Sequence, residues 1–265
     1  MQEGLPKSRF DRLNRRSFIG GSDARVIMGD DEAALLRLWR EKRGEVEPED
    51  LSGNLIVQLG LATEDLNRRW YEANTGQILT DLQQQVRHPT LRWMAATLDG
   101  RVEATGAVFE GKFMLPWSFS EQMAAEKYMP QLQHNMWVVA AQSAVLSVIT
   151  GGGKWVEITT HADPLYQHLI VTAERKFWRL RREWRASSSV RSRAAATADR
   201  SGSNCRHERL EFLGRICRLI PQHSASMSGA RTLQKRAESA DAGGRQGGDR
   251  ARHPCQAIEI RSRQF

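Results

Sequence analysis

The stretch Thr97–Lys112, TLDGRVEATGAVFEGK, limits what this chain can fold into more than any other. Apolar and polar residues alternate at period two on either side of Thr105 and Gly106, which is the pattern of a β-hairpin. Closing that hairpin brings Asp99 toward Glu110 and Lys112. Glu110 and Lys112 are two residues apart, so on a strand they point to the same face. Two carboxylates and an ammonium on one strand face suit a divalent cation beside a group that handles protons.

Around the hairpin the pattern alternates between helix and strand. Residues 32–43 (EAALLRLWREKR) place Leu35, Leu36 and Trp39 at helical spacing and end at Gly44. Asn54 to Asn74 reads as a long helix closed by Gly76, with Leu55, Leu59, Leu66, Trp70 and Tyr71 as its apolar positions. Glu64 lies inside it, where a lone glutamate belongs on a solvated face. QILTDLQQQVRHPTLRWMAATLDG is strand-like at both ends and broken at His88-Pro89. After the hairpin, Ser120 or Glu121 opens a helix that breaks or restarts at Pro130 and runs to about Ser147. Tyr128 and Gln131 are three apart and share a face of it. A glycine turn (Gly151–Gly153), a strand from Trp155 to Thr160 and an amphipathic helix from Pro164 to Leu180 complete the pattern. The expected class is α/β, a mixed central sheet flanked by helices.

Near the N-terminus, Ile19-Gly20-Gly21-Ser22-Asp23 leads into an apolar-periodic run, with Ser22 or Asp23 as its N-cap. A Gly-Gly-Ser at a helix start beside Arg15 and Arg16 offers backbone N–H groups and guanidinium to a phosphate. An ordinary capped helix with solvated arginines is the simpler reading.

Charge and cysteine content divide the chain near residue 180. Residues 1–180 carry 6 Lys and 15 Arg against 23 acidic residues, a net −2; residues 181–265 carry 1 Lys and 17 Arg against 8, a net +10. Cys205, Cys217 and Cys255 all lie in the second part, at spacings that match no zinc pattern. The first 180 residues therefore exclude a disulfide framework or an iron–sulfur cluster ligated by cysteine. The expected organisation is a domain over 1–180 and a basic, low-complexity tail over 181–265, rich in Ser, Ala, Gly and Arg and expected to be disordered. Within the tail only His207–Ile220 (HERLEFLGRICRLI) has the pattern of a short amphipathic helix. A basic arm that clings to nucleic acid is the functional alternative. The excess of Arg over Lys also fits GC-rich DNA translated out of frame, which sequencing of the gene would test. No apolar run approaches a bilayer span and no apolar signal core opens the chain, so a cytoplasmic, membrane-free location is expected.

Asp99, Glu110 and Lys112 fit the PD-(D/E)xK pattern of metal-dependent nucleases. Phosphodiester hydrolysis needs relief of negative charge and a positioned water, which hard-oxygen-bound Mg²⁺ and a lysine supply. Alone, the pattern recurs by chance, and a surface ladder of ion pairs would look the same. Longer runs carry more: GGSDARVIMG (Gly20–Gly29), LWREKRGEVEPEDLSGNLIVQLG (Leu38–Gly60), MAATLDG, VFEGKF, EKYMPQLQHNMWV and LSVITGGGKWVE. Over roughly Arg15 to Trp178 the chain resembles the YqaJ-type viral recombinases, relatives of phage lambda exonuclease.

That resemblance implies a restriction-endonuclease-like core and a 5′→3′ exonuclease that digests one strand of duplex DNA. Asp99, Glu110 and the Gly111 carbonyl would hold Mg²⁺, for which Mn²⁺ would substitute. Lys112 would be the catalytic lysine, with Gln131 and Tyr128 positioning water or ligands. Glu64 would support the metal site. Ser22 and Arg15, with Arg16 as an equal candidate, would grip the terminal 5′-phosphate. Partners would be DNA ends and a single-strand annealing recombinase that takes the 3′ overhang, and the assembly a ring-shaped homotrimer. The domain's net negative charge departs from the positive surface DNA needs, which Arg9, Arg12, Arg15 and Arg16 would have to supply. Competing readings are an endonuclease, a Cas4-like nuclease (disfavoured by the missing cysteines) and an inactive DNA-binding prophage remnant.

Overall fold

In a computed structural model, residues 15–195 and 259–263 are described, with side chains for residues 15–181. Arg9, Arg12, His207–Ile220 and most of the expected tail lie outside the described residues. The elements are α1 (Gly21–Ile27), α2 (Glu32–Arg43), α3 (Leu55–Thr75), β1 (Leu79–Thr80), β2 (Gln85–Arg87), β3 (Ala95–Thr97), β4 (Gly100–Val102) and β5 (Val108–Met114). A short 3₁₀ turn (Pro116–Ser118) leads to α4 (Glu121–Val139), β6 (Ser143–Thr150), β7 (Trp155–His161), α5 (Pro164–Ala195) and β8 (Glu259–Arg263).

The hairpin forms as the alternation requires. β4 and β5 pair antiparallel with Gly100 opposite Phe109, which sets Asp99 level with Glu110. Gly106 takes a left-handed φ of 68° in the turn, a conformation that costs glycine nothing. The main sheet runs β1-β4-β5-β6-β7-β8, with β5 and β6 parallel and the other pairs antiparallel. Helix α4 is the crossover that joins the parallel pair, as such a connection demands. β2 and β3 make a separate two-stranded ribbon.

Side chains on β5 alternate between two cores. Val108 and Met114 join Leu132, Met136, Leu146, Val148 and Ile158 on the α4 side. Phe109 joins Tyr71, Val102, Val145 and Trp155 on the α3 side. A third cluster, Ile19, Ile27, Leu35, Leu38, Trp39 and Phe177, ties α1 and α2 to α5.

Three expectations need correction. Residues 143–147 form strand β6 and not the end of a helix. Ala140 turns left-handed at φ 54° and closes α4, and Ala144–Val148 are buried between β5 and β7. A strand buried on both faces is continuously apolar and shows no period of two, so it imitates a buried helix. Pro130 does not break α4. It removes one backbone hydrogen bond at a cost of about 3 kcal/mol, which the buried face through Ala124, Leu132 and Met136 offsets. The cap of α1 is Gly20, because Asp23 sits in the first turn and its carboxylate accepts from the Gly20 N–H at 2.8 Å.

Helix α3 also packs differently from its apolar stripe. Leu55, Leu66 and Trp70 face solvent, while Asn67 and Tyr71 are its buried residues. The face turned to the sheet thus carries polar groups, which bears directly on the site. Helix α5 passes Leu180 to end at Ala195, and β8 joins β7 at the sheet edge from within the expected tail.

Candidate active site

Strand β5 presents Glu110 and Lys112 on the face toward α4, one residue apart from the Phe109 and Gly111 face toward α3. The Lys112 ammonium donates to Glu110 Oε1. From α4, Gln131 Nε2 donates to the same oxygen at 2.5 Å and Asn135 Nδ2 donates to Oε2 at 3.2 Å. Three donors from two elements thus fix a fully buried carboxylate. Asp99, at the start of β4, accepts from the Gly111 N–H at 3.0 Å, which locks the hairpin ends together beside Glu110.

Below the strand, Asn67 braces the backbone. Its Nδ2 donates to the Lys112 carbonyl at 3.2 Å and the Ser147 carbonyl at 2.9 Å, while the Ser147 hydroxyl donates back to its Oδ1 at 2.6 Å. A Cβ on Gly111 would lie 3.4 Å from Asn67 Nδ2, so glycine lets α3 approach closely. Glu64, one turn earlier on α3, takes a 2.7 Å hydrogen bond from Arg68 and another from Gln83.

Electrostatics joins these groups into one cluster. Burial, then the charge of Asp99, pushes the Glu110 carboxyl up to about 7, with Glu64 adding to the rise. Burial and Asp99 likewise raise Glu64. Burial works against charge on Lys112, yet Glu110 and Asp99 hold its ammonium above the ordinary lysine range. Three carboxylates against Lys112 and Arg68 leave an excess of negative charge, which a divalent cation would offset. Among the described residues no three His, Cys, Asp or Glu side chains form a complete metal cage. Asp99 and Glu110, if joined by a backbone carbonyl, would supply the smaller protein share that a Mg²⁺ keeping several waters needs.

Tyr128 is 5% exposed and lies on α4 against this cluster, with Lys112 Nζ 5.6 Å from its ring centroid. Arg15 and Ser22 come together, with Arg15 Nη2 donating to the Ser22 hydroxyl at 3.1 Å. Arg16 lies elsewhere, its guanidinium paired with Glu47 at 2.7 Å and packed on Gly44. The Gly20 N–H, one of the backbone groups offered to a phosphate, is taken by Asp23.

Several residues in and around the site escape a reading of the sequence. Asn135 and Asn67 follow Gln131 and Glu64 at i+4 and i+3, a spacing that would have found them once the first residue was chosen. Behind Arg15, Lys42 donates to Asp23 at 2.5 Å and to the Arg15 and Phe18 carbonyls at 2.8 Å each. His134 on α4 bridges Glu174 on α5 at 2.8 Å and the Ala95 carbonyl at 3.0 Å. Nothing in the local sequence marks these two long-range networks.

The sequence pattern of the YqaJ-like viral recombinase domain matches residues 12–151, more than half of the chain. The chain belongs to the YqaJ-like viral recombinase family. A relative, the uncharacterized protein YqaJ of Bacillus subtilis (strain 168), is 28% identical over 172 residues, 63% of this chain. The match spans 54% of that protein, so the chain covers about half the length of its relative. Among solved structures, LHK-Exo in complex with dAMP superposes with a TM-score of 0.59 at 19% identity, over 72% of this chain and all of that one. LHK-Exo is an alkaline exonuclease from Laribacter hongkongensis. A phage-related exonuclease from Haemophilus somnus 129PT follows with a TM-score of 0.51 at 14% identity, over 61% of this chain and 93% of that one. At these identities the likeness is one of fold, and it makes this YqaJ-like domain a restriction-endonuclease-like mixed sheet with flanking helices.

Proposed function

We propose that this YqaJ-like protein is a Mg²⁺-dependent 5′→3′ exonuclease that degrades one strand of linear duplex DNA. The product is a 3′ overhang for phage-type homologous recombination. The observation that carries this reading is the coupled cluster of Asp99, Glu110, Glu64 and Lys112, braced on both Glu110 oxygens by α4. The exonuclease fold neighbours support it.

Asp99, Glu110 and the Gly111 carbonyl would hold Mg²⁺, or Mn²⁺ in its place, which when bound neutralises charge developing on the phosphate. Lys112, held as an ammonium by Glu110 and Asp99, orients the attacking water and stabilises negative charge. Gln131 and Asn135 keep the Glu110 carboxylate from rotating, and Glu64 sustains the negative field with Arg68 and Gln83 fixing its position. Water adds to phosphorus with loss of its proton to solvent, and the bond to the 3′ oxygen of the departing nucleotide breaks as that oxygen takes up a proton, leaving a new 5′-phosphate on the shortened strand. Arg15 and Ser22 then receive that phosphate, which makes each product end the next substrate. A single-strand annealing recombinase would take the overhang, and a homotrimeric ring in the host cytoplasm would keep the enzyme on its DNA. No helix among the described residues is long and apolar enough to cross a membrane.

The test uses Mg²⁺ with linear duplex bearing 5′-phosphate or 5′-hydroxyl ends, beside a closed circle. The proposal expects loss of the phosphorylated strand, an intact circle, and activity lowered about 10³-fold in Lys112→Ala. A cut circle would establish an endonuclease instead. Equal inactivity of wild type and Lys112→Ala would identify a DNA-binding remnant.

A further inference from the structure

Cations around the site are mostly spent on partners within the chain. Arg15 serves Ser22 and Asp23, Lys42 serves Asp23, Arg68 serves Glu64, and Lys112 serves Glu110. Arg25 and the exposed Lys127 are the exceptions, and of the two Arg25 is the half-buried one. It lies in the last turn of α1, half-buried, with Cζ 4.9 Å from the Tyr128 ring centroid. Among the described residues its guanidinium has no hydrogen-bond acceptor and no ion-pair partner. The guanidinium carbon lies over the ring, and a guanidinium carries five donors in a planar fork. An arginine held against an aromatic ring with those donors unused is poised for an anion that the described residues do not supply.

Its location says which anion. Arg25 follows Ser22 by three residues on one helix, so the two are neighbours on its surface. Lys112 approaches the same Tyr128 ring at 5.6 Å, and the exposed Lys127 approaches it at 5.4 Å. Arg25 therefore neighbours the Arg15–Ser22 pair along the helix and shares the Tyr128 ring with Lys112 of the Glu110–Lys112 pair. The oxygens of Glu110 are already taken by Lys112, Gln131 and Asn135.

We propose that Arg25 is a third phosphate contact, gripping the non-bridging oxygens of the phosphodiester being cut while Arg15 and Ser22 hold the terminal phosphate one nucleotide away. The ligand class is the sugar–phosphate backbone of DNA, read without regard to base. Tyr128 is then a positioning residue that sets the plane of the Arg25 fork, and Lys127 adds charge at the outer rim. This site rests on the proposed exonuclease function and deepens it.

The test is binding of 5′-phosphorylated duplex to the full chain in EDTA, where strand loss cannot intrude, followed across NaCl concentration. Each phosphate contact contributes about 0.9 to the slope of log affinity against log salt. Arg25→Ala is expected to lower that slope by about one, Arg25→Lys to keep it, and Arg37→Ala, an outer-surface charge paired with Glu41, to leave it as in wild type. With Mg²⁺ present, Arg25→Lys is expected to lose about 100-fold in kcat because a point charge replaces the fork. An unchanged slope in Arg25→Ala, with wild type binding normally, would overturn this site alone. A wild type without affinity for duplex would overturn the exonuclease reading and this site with it. Arg25→Gln, melted beside wild type, separates lost binding from lost folding, and a Gln variant that melts like wild type yet keeps the full slope also overturns the site.

Discussion

Asp23 and Lys42 are sealed in the interior at 5% and 4% side-chain exposure, and every donor of the Lys42 ammonium has an acceptor. Asp99, Glu110, Glu64 and Lys112 use the same residue types in the opposite way. Their carboxylates outnumber Lys112 and Arg68, and burial first, then mutual repulsion, drives Glu110 and Glu64 upward. The first cluster is closed and holds α1 to α2. The second is open, its carboxylates in excess of the cations around them. Identical chemistry becomes structure or site according to whether its hydrogen-bonding capacity is exhausted within the chain.

Removing the cation from the closed cluster should do the most damage to stability. Lys42→Met leaves the buried Asp23 with only the Gly20 N–H and the more distant Arg15, and strands the Arg15 and Phe18 carbonyls. Thermal or denaturant unfolding is expected to show a loss of about 3–5 kcal/mol. A loss below about 1 kcal/mol would mean that the cluster is not closed.

The junction between the two clusters comes next. A Cβ on Gly21 would lie 2.4 Å from Asn135 Oδ1 and 2.9 Å from Gln131 Cγ. Gly21→Ala should therefore cost about 1–3 kcal/mol and displace the amides that hold Glu110, lowering nuclease activity more than its stability loss accounts for. Activity assayed well below the melting temperature checks this.

Arg15 and Arg16 sharpen the contrast at the DNA end. Arg15→Ala should abolish the preference for 5′-phosphate over 5′-hydroxyl ends. Arg16→Ala should leave that preference intact and cost no more than about 1 kcal/mol, since its Glu47 partner is exposed. Paired rate measurements on the two ends decide between them.

The smallest effect is a pH dependence. Burial opposes charge on His134, but Glu174 beside its Nδ1 and the Ala95 carbonyl at Nε2 hold its pKa above the ordinary histidine value. Burial raises Glu174 as well, so the pair retains protons that the unfolded chain releases. The His134 part of the stability should thus be full below pH 6.5 and fall as pH rises through its folded value, while the Glu174 part begins to fall already above its unfolded value of 4.5. A melting curve across that range should lose this slope in His134→Gln.

The hairpin was legible because strand alternation and a glycine turn are local signals, and register then followed from turn position. Glu110 and Lys112 came with it. Strand β6 was not legible, since a run buried on both faces has no period. The buried networks were hidden for a different reason: His134 and Glu174 are 40 residues apart, Asp23 and Lys42 are 19 apart, and only packing selects them. Helix α3 misled in an instructive way, its apolar stripe facing solvent while Asn67 and Glu64 served the sheet side.

The central claim is that the open cluster is built to take a divalent cation. Calorimetric titration of Mn²⁺ into wild type and into Asp99→Asn tests it most directly. The account predicts saturable binding in wild type that is lost or greatly weakened in Asp99→Asn, with the fold of both unchanged. Equal binding by the two proteins, or none by either, would contradict it.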